Sequence, residues 1–399
     1  MEFIRFCVDG VKEIFRGGKL YWSWMGLLTV VALIGASAYL QQFQQGLVVT
    51  GMSDQVSWGI YIASFTSLVG IAAAAIMLII PAYIFHDMDI KEIVIPAEGL
   101  AIAACVMSMM FVLIDLGRPD RMWHLLPFIG RFNFPKSMLA WDVLVLNVYL
   151  FLTVIISVYL LFSKYKGKEP KFSIYFPLVI LSIISALSIH TVTAFLFSSN
   201  VARSFWHTGL LAPRFIASAF SAGPAFFLLT VLVMRYTKVF PVKDIAIKRL
   251  TMIITIALEI NLFLLLAEVF TEFYHQTEHS ASAAYLFFGL GGKTALVPWI
   301  WSSVFLNISA LVIFVLPLKK NTIFLTLACL FLVVGVWIEK GMGLVVPGFI
   351  PTPLGEVYEY SPTFIEAQIS MGVWAIGLML YTILAKISIA VNLERIRLD

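Results

Sequence analysis

The chain has 399 residues, 61% of them hydrophobic and only 13% charged, with a net charge of +4. A soluble domain carries about 25% charged residues, so a water-soluble enzyme and a nucleic-acid-binding domain are both excluded as its main body. The three cysteines, Cys7, Cys105 and Cys329, lie far apart. No disulfide framework, iron–sulfur site or attached c-type haem follows from them.

Along the chain, hydrophobic runs able to cross about 30 Å of hydrocarbon are predicted at 21–40, 58–85, 95–115, 137–163, 172–197, 214–236, 250–272, 297–316, 321–340 and 367–389. The first run follows a charged, mixed arm and does not match a cleavable signal. Ten crossings describe an all-α integral membrane protein with both termini on one side. The terminal arms and the connections after the second, fourth, sixth and eighth runs hold 19 of the 27 Lys and Arg residues. Such an excess in short connections marks the cytoplasmic side, so both termini are expected there, with the chain in the cytoplasmic (inner) membrane. The clusters Lys164, Lys166, Lys168, Lys171 and Arg235, Lys238, Lys243, Lys248, Arg249 then anchor that side at anionic headgroups. The longer loops, 116–136, 273–296 and 341–366, fall on the outer face. They serve either as a docking surface for another protein or as a lid on their own bundle.

An internal echo divides the chain. Trp141 to Asn147 in the fourth run matches Trp301 to Asn307 in the eighth, and Ile62-Ala-Ser-Phe in the second resembles Ile216-Ala-Ser-Ala-Phe in the sixth. The partners cross in the same direction, so the repeat is parallel, unlike the inverted repeats of many transporters. Two four-helix bundles are expected, from segments 2–5 and 6–9, with segments 1 and 10 peripheral. The corresponding regions are 1–56 (arm and first helix), 57–197 (first bundle), 198–340 (second bundle) and 341–399 (outer loop, last helix and tail).

Ionisable residues inside spans cost about 2.5–3.5 kcal/mol each at the helix centre, so they mark ligand, ion or proton sites. In the first bundle Tyr61, Asp115, Asp142, Asn147 and His190 fall towards the outer side, with His124 in the loop above. Reduction of a quinone takes two electrons and two protons, and each carbonyl oxygen needs a hydrogen-bonding, proton-passing partner. His, carboxylates and Tyr supply such partners. Singly, each residue is equally accounted for by a helix-end polar group or an interhelical hydrogen bond. In the second bundle Glu259, Glu268, Glu272 and Asn307 suggest a proton path, with structural interhelical bonds as the alternative. On the inner side His86, Asp87, Asp89, Glu92 and Glu98 suggest a proton entry, or a solvated helix edge. Only His190 is clearly intramembrane, and a b-type haem needs two facing axial ligands. Neither haem nor a metal site is therefore expected, and Gly289-Leu-Gly-Gly292 is read as a tight turn. Electrons must come from or go to another subunit.

Asp115-Leu-Gly-Arg-Pro119, Arg121, Trp123 and Ser137-Met-Leu-Ala-Trp-Asp142 together resemble the hallmark of the NrfD/PsrC (polysulfide reductase membrane subunit) family. Pro351 to Glu356 and Tyr360 to Glu366 resemble its ten-helix branch, most like the DsrP type of the membrane complex linked to dissimilatory sulfite reduction. The resemblance implies a haem-free subunit reacting with menaquinone or menaquinol. It also implies a ferredoxin-like partner with several iron–sulfur clusters on the outer face, and further cytochrome and membrane subunits. Catalytic roles are expected for Asp142 and His190, with Tyr61, Asp115, Arg118 and His124 completing the quinone site. The expected proton path, less firmly implied by the family, is Asp87, Glu98, Glu259, Glu268 and Asn307. The competing readings are a proton-coupled secondary transporter using the buried Glu residues and a purely structural membrane anchor.

Overall fold

The computed structural model describes residues 1–72, 75–85, 87–126, 128–275 and 280–398. Ten of its helices, or helical stretches, are long and apolar enough to span a membrane. An amphipathic helix, α1 (Glu2–Ile14), precedes the first span, α2 (Lys19–Gln45). The second crossing comprises α3 (Ile60–Ala72), the short α4 (Ile76–Ile79) and a π-helical turn at Ile80–Ile84. Then follow α5 (Met88–Asp115), α6 (Met138–Tyr165), α7 (Phe172–Ser198), α8 (Leu211–Tyr236) and α9 (Asp244–His275). A non-spanning helix, α10 (Ser280–Phe288), leads to α11 (Val297–Val315), α12 (Thr322–Lys340) and α13 (Phe364–Asn392).

The largest boundary differences have a common cause. α5 starts seven residues before the predicted run because Asp87 caps it, accepting from the backbone N–H groups of Asp89 and Ile90 at 3.1 and 3.3 Å. Its charged first turns read as loop by hydropathy, although a capped helix tolerates them. α9 likewise begins at Asp244, well before the apolar run at 250. At the other end of the molecule Thr363 and Glu366 form a capping box that starts α13, a device that satisfies two orphan backbone donors reciprocally.

The spans close two rings. α3 packs on α5, α5 on α6, α6 on α7 and α7 on α3; α8, α9, α11 and α12 repeat that order. The rings meet where α3 touches α8 and α12, and where α7 touches α8. α2 and α13 lie beside the first ring, packed on each other, with α13 also against α5. Their crossing depends on two glycines: a Cβ on Gly35 would stand 2.5 Å from the Gly372 Cα. In lipid, where the hydrophobic effect does not drive helices together, such close backbone approach is a main source of contact energy.

The two long loops at the end opposite the termini differ. Residues 341–350 are buried throughout and descend between the rings. The Trp206 indole donates to the Leu344 carbonyl at 2.8 Å, stacks on Trp58 and meets the edge of Phe349 at 4.9 Å between centroids. Gly348 faces the same indole, where a Cβ would come within 1.9 Å of a ring carbon. This stretch is a lid on its own bundles. Residues 116–136 instead stay outside: Met122, Trp123, Leu125, Leu126, Ile129 and Phe134 are exposed, and Phe128 projects from a left-handed backbone (φ 73°). The expected turn at Gly289 is present, with positive φ at Gly289, Gly291 and Gly292.

Both termini share one end. Leu398 donates its backbone N–H to Tyr165 at 2.9 Å, and the Tyr165 hydroxyl donates to Asp9 on α1 at 2.7 Å. That hydrogen bond holds the Asp9 carboxyl below its ordinary range. Charges at this end clamp the rings together: Lys243 reaches Asp89 and Glu92 at 2.9 and 3.1 Å, and Arg249 pairs with Asp87.

Candidate functional site

The polar residues sort into distinct groups by the helices that carry them. Asp142 lies one turn inside α6 and accepts from the Thr193 hydroxyl of α7 at 2.7 Å. His190 sits one turn deeper on α7, with Nδ1 at 2.7 Å from the Ala186 carbonyl. A carbonyl only accepts, so Nδ1 carries the proton and Nε2 presents its lone pair. Nε2 is buried and lacks a hydrogen-bond partner among the described residues. Asp142, Thr193 and His190 thus form a short polar column at the α6–α7 contact, staggered over about 12 Å from the helix ends at 1.5 Å per residue.

A second group gathers around Tyr61. Its hydroxyl donates to Gln42 of α2 at 2.6 Å, and the Gln42 amide donates to the Ile114 carbonyl at 2.7 Å. The next residue, Asp115, ends α5 with a buried Oδ1 that has no hydrogen-bond partner. Behind it Glu366 accepts from the Tyr360 hydroxyl and from the backbone N–H groups of Gly51 and Thr363, each at 2.8 Å. The Tyr360 oxygen in turn accepts from Ile60 N–H at 2.9 Å, capping α3. Burial, then the Glu366 carboxylate, push the Tyr360 phenol above its ordinary value, so it stays a donor. No hydrogen bond joins this group to the Asp142 column among the described residues.

Arg118 and His124 stand apart from both. Arg118 forms a two-pronged pair with Asp120 at 3.0 and 2.8 Å, and His124 stacks on Trp123 at 3.8 Å, all on the exposed loop. They form a rim above the first ring and do not line its interior. Deeper in α5, towards the termini, Glu98 is fully buried and accepts from Ser157 of α6 at 2.7 Å, leaving Oε1 unbonded.

The second ring holds a dense charge network that the sequence reading found only in part. Arg214 of α8 pairs with Glu268 of α9 and, at 3.1 Å, with Glu339 of α12. Glu339 also accepts from the Asn261 amide at 3.1 Å and the Asn307 amide at 3.0 Å. Lys340 is buried alongside, its ammonium 4.1 Å from the Phe215 ring centroid. Glu268 and Asn307 therefore do meet in one network. Glu259 does not: nine residues before Glu268, it is half a turn out of phase and exposed on the outside of the molecule. Glu272 lines a crevice with Arg214 and Glu268. Asp87 is occupied as a helix cap and ion-pair partner, and His86 lies outside the described residues.

Gln42, Thr193, Arg214, Asn261, Glu339 and Lys340 are not among the residues the sequence points to, and Glu366 enters there only as the end of a loop motif. Thr193 is uncharged and hydropathy does not single it out, whereas Asn261 inside the run 250–272 carries the same signal as Asn147 and Asn307. Gln42 and Glu366 fell outside the predicted spans; Arg214, Glu339 and Lys340 fell at their ends, where charge is ordinary. The buried segment 341–350 carries what looked like a helix end into the interior.

Comparison with known proteins accords with this architecture. The family model described as polysulphide reductase, NrfD, matches residues 48–350. A putative membrane subunit of dimethyl sulfoxide reductase from Halobacterium salinarum is 25% identical, over 91% of this chain and 90% of its own. A selenate reductase subunit of Mesobacillus selenatarsenatis is 24% identical, over 94% and 95%. An Hdr-like menaquinol oxidoreductase integral membrane subunit of Archaeoglobus fulgidus is 25% identical over about half of each chain, 53% and 50%. With its ten spans and a match over most of its length, this multi-pass membrane protein belongs to the polysulphide reductase NrfD family.

Proposed function

We propose that the chain is the quinone-reactive subunit of a multi-subunit oxidoreductase, exchanging electrons between menaquinone or menaquinol and an iron–sulfur partner. The observation that carries this reading is the set of buried, unbonded polar atoms at one end of the first ring, His190 Nε2 and Asp115 Oδ1, beside the Thr193-bonded Asp142. A buried polar atom without a partner calls for an explanation, and a bound ligand that completes the bonding is one. These residues fit a quinone: His190 and Asp142 offer an acceptor and an exchangeable proton, and Tyr61 is a donor held in place by Gln42. When bound, the quinone supplies a two-electron, two-proton couple. His190 and Asp142 then hold and pass the protons, while the Gln42–Tyr61 bond orients the neighbouring donor. The named menaquinol oxidoreductase relative supports the choice of menaquinone.

In this reading the exposed apolar loop 116–136, with Arg118 and His124, seats a ferredoxin-like multi-cluster subunit outside the cytoplasm. The termini face the cytoplasm in this reading, which the Lys and Arg distribution supports. Residues 57–197 form the quinone unit, with the Glu98 carboxyl as a proton-exchanging group on the inner side, and 198–340 the second bundle, braced by the Glu268–Arg214–Glu339–Asn307 network. The likeness of the outer-loop motifs to the DsrP type favours a sulfur-linked electron chain.

The test is menaquinol turnover by the purified complex. Asp142→Asn and His190→Ala are each expected to lower turnover about 100-fold or more, the usual contribution of a positioned acid or base. They should leave complex assembly unchanged. Full turnover and full binding of a menaquinol analogue in both variants would overturn the assignment and leave a structural anchor.

A further inference from the structure

The outward face of α9 carries a regular seam. Met252, Ile256, Phe263, Leu266 and Phe270 are all more than half exposed, and Glu259 completes the series at spacings of four and three. An apolar repeat alternating by four and three residues is the pattern of a helix that receives another helix along its length. Every spanning helix shows some apolar residues outside. What separates α9 is that Glu259 lies near its centre, midway between the charged inner turns at Lys248 and Arg249 and the outer Glu268. The outward faces of α2, α7, α11 and α12 carry apolar, small and hydroxyl residues over the corresponding depth, and on α6 the half-buried Asn147 is uncharged and bonded back to the Val143 carbonyl at 2.8 Å. Glu259 has neither a hydrogen bond nor an ion pair among the described residues, whereas Glu268 on the opposite side of the same helix is paired with Arg214.

A carboxylate in mid-bilayer facing lipid is costly, and such residues are normally turned inward or paired. We propose that the α9 seam is the docking surface for a spanning helix of a different integral membrane subunit, whose cationic or N–H/O–H donor side chain meets Glu259. Charge complementarity identifies the occupant. A second copy of this chain seated across a two-fold axis would bring Glu259 against Glu259, like charge on like, and would deepen the problem it had to solve. Lipid alone offers a carboxylate no donor at that depth. A single polar residue in an apolar seam also fixes register and partner, so Glu259 selects its neighbour as well as holding it. This inference is independent of the quinone reading.

The experiment places a photo-reactive benzoylphenylalanine at Phe263, one turn from Glu259, in the full chain expressed in its native membrane. The same probe at Ile184 on α7 serves as the comparison. The expected product at 263 is a crosslink to one other integral membrane chain, with a Lys, Arg, His, Ser, Thr, Asn or Gln within a turn of the crosslinked position. Position 184 should give no such product. Glu259→Leu should lower the crosslink yield about tenfold, the effect of losing one interhelical polar contact in a membrane, and Glu259→Gln less. Glu259 is on the surface, so both variants should keep the wild-type elution profile. Should Glu259→Leu fail to accumulate, a fall with Glu259→Gln carries the same conclusion. Crosslinks to lipid only, to a second copy of this chain, or to a span without a donor would overturn the proposal, as would a yield indifferent to Glu259.

Discussion

The two rings repeat one packing order yet treat buried charge in opposite ways. In the second, Arg214 faces Glu268 and Glu339, and two asparagine amides complete Glu339. In the first, Asp142 and Glu98 each receive one hydroxyl, from Thr193 and Ser157, and neither has an ion-pair partner. Charge neutralised by charge is held in place; a carboxyl supported by one hydroxyl keeps the freedom to gain and lose a proton. One scaffold thus provides a stiff ionic core and a responsive polar column side by side.

The sharpest way to break that contrast is to remove the cation. Arg214→Leu leaves Glu268 and Glu339 buried without the guanidinium they pair with, and breaking such a pair from one side costs about 3–5 kcal/mol. Thermal unfolding in detergent should show a large drop, with most of it restored when Glu268→Gln and Glu339→Gln are added. Asp142→Asn in the first ring, which uncovers no opposite charge, should leave unfolding nearly unchanged while turnover collapses. Equal destabilisation by the two changes would erase the distinction.

A smaller test stays within the second ring. Asn307→Leu deletes the amide that donates to Glu339 at 3.0 Å. A hydrogen bond to a charged group contributes about 1.5–3 kcal/mol, and the loss should appear in the same unfolding measurement. If Asn307→Leu is neutral, the Glu339 carboxylate is satisfied by Arg214 and Asn261, and Asn307 serves some purpose other than stability.

The difference between the rings also marks how far the sequence could be read. Ten spans and their order followed from hydropathy, because a membrane admits few structures, and the parallel echo from matching residues at equal spacing. Asp142, His190 and Tyr61 stood out because polar residues inside apolar runs are conspicuous. Arg214 and the Glu339–Lys340 pair did not, since hydropathy cannot tell a helix end at the headgroups from one carried inwards by a buried segment such as 341–350. Glu259 was conspicuous for the right reason and grouped with the wrong residues. Its nine-residue offset from Glu268 puts it on the opposite side of α9, and only the packing of α8 and α11 shows which side is interior.

The finest test concerns the Thr193 hydroxyl, the one group that ties Asp142 to the helix bearing His190. Thr193→Val keeps the shape of the side chain and removes the donor. Stability should fall by only about 1 kcal/mol, the net value of an ordinary buried hydrogen bond. If the hydroxyl positions Asp142 for proton exchange, menaquinol turnover should fall several-fold and its pH profile should move, while Thr193→Ser restores both. A structural hydroxyl would lower stability by the same amount and leave the pH profile where it was. The pH profile therefore separates a column that works from one that merely holds two helices together.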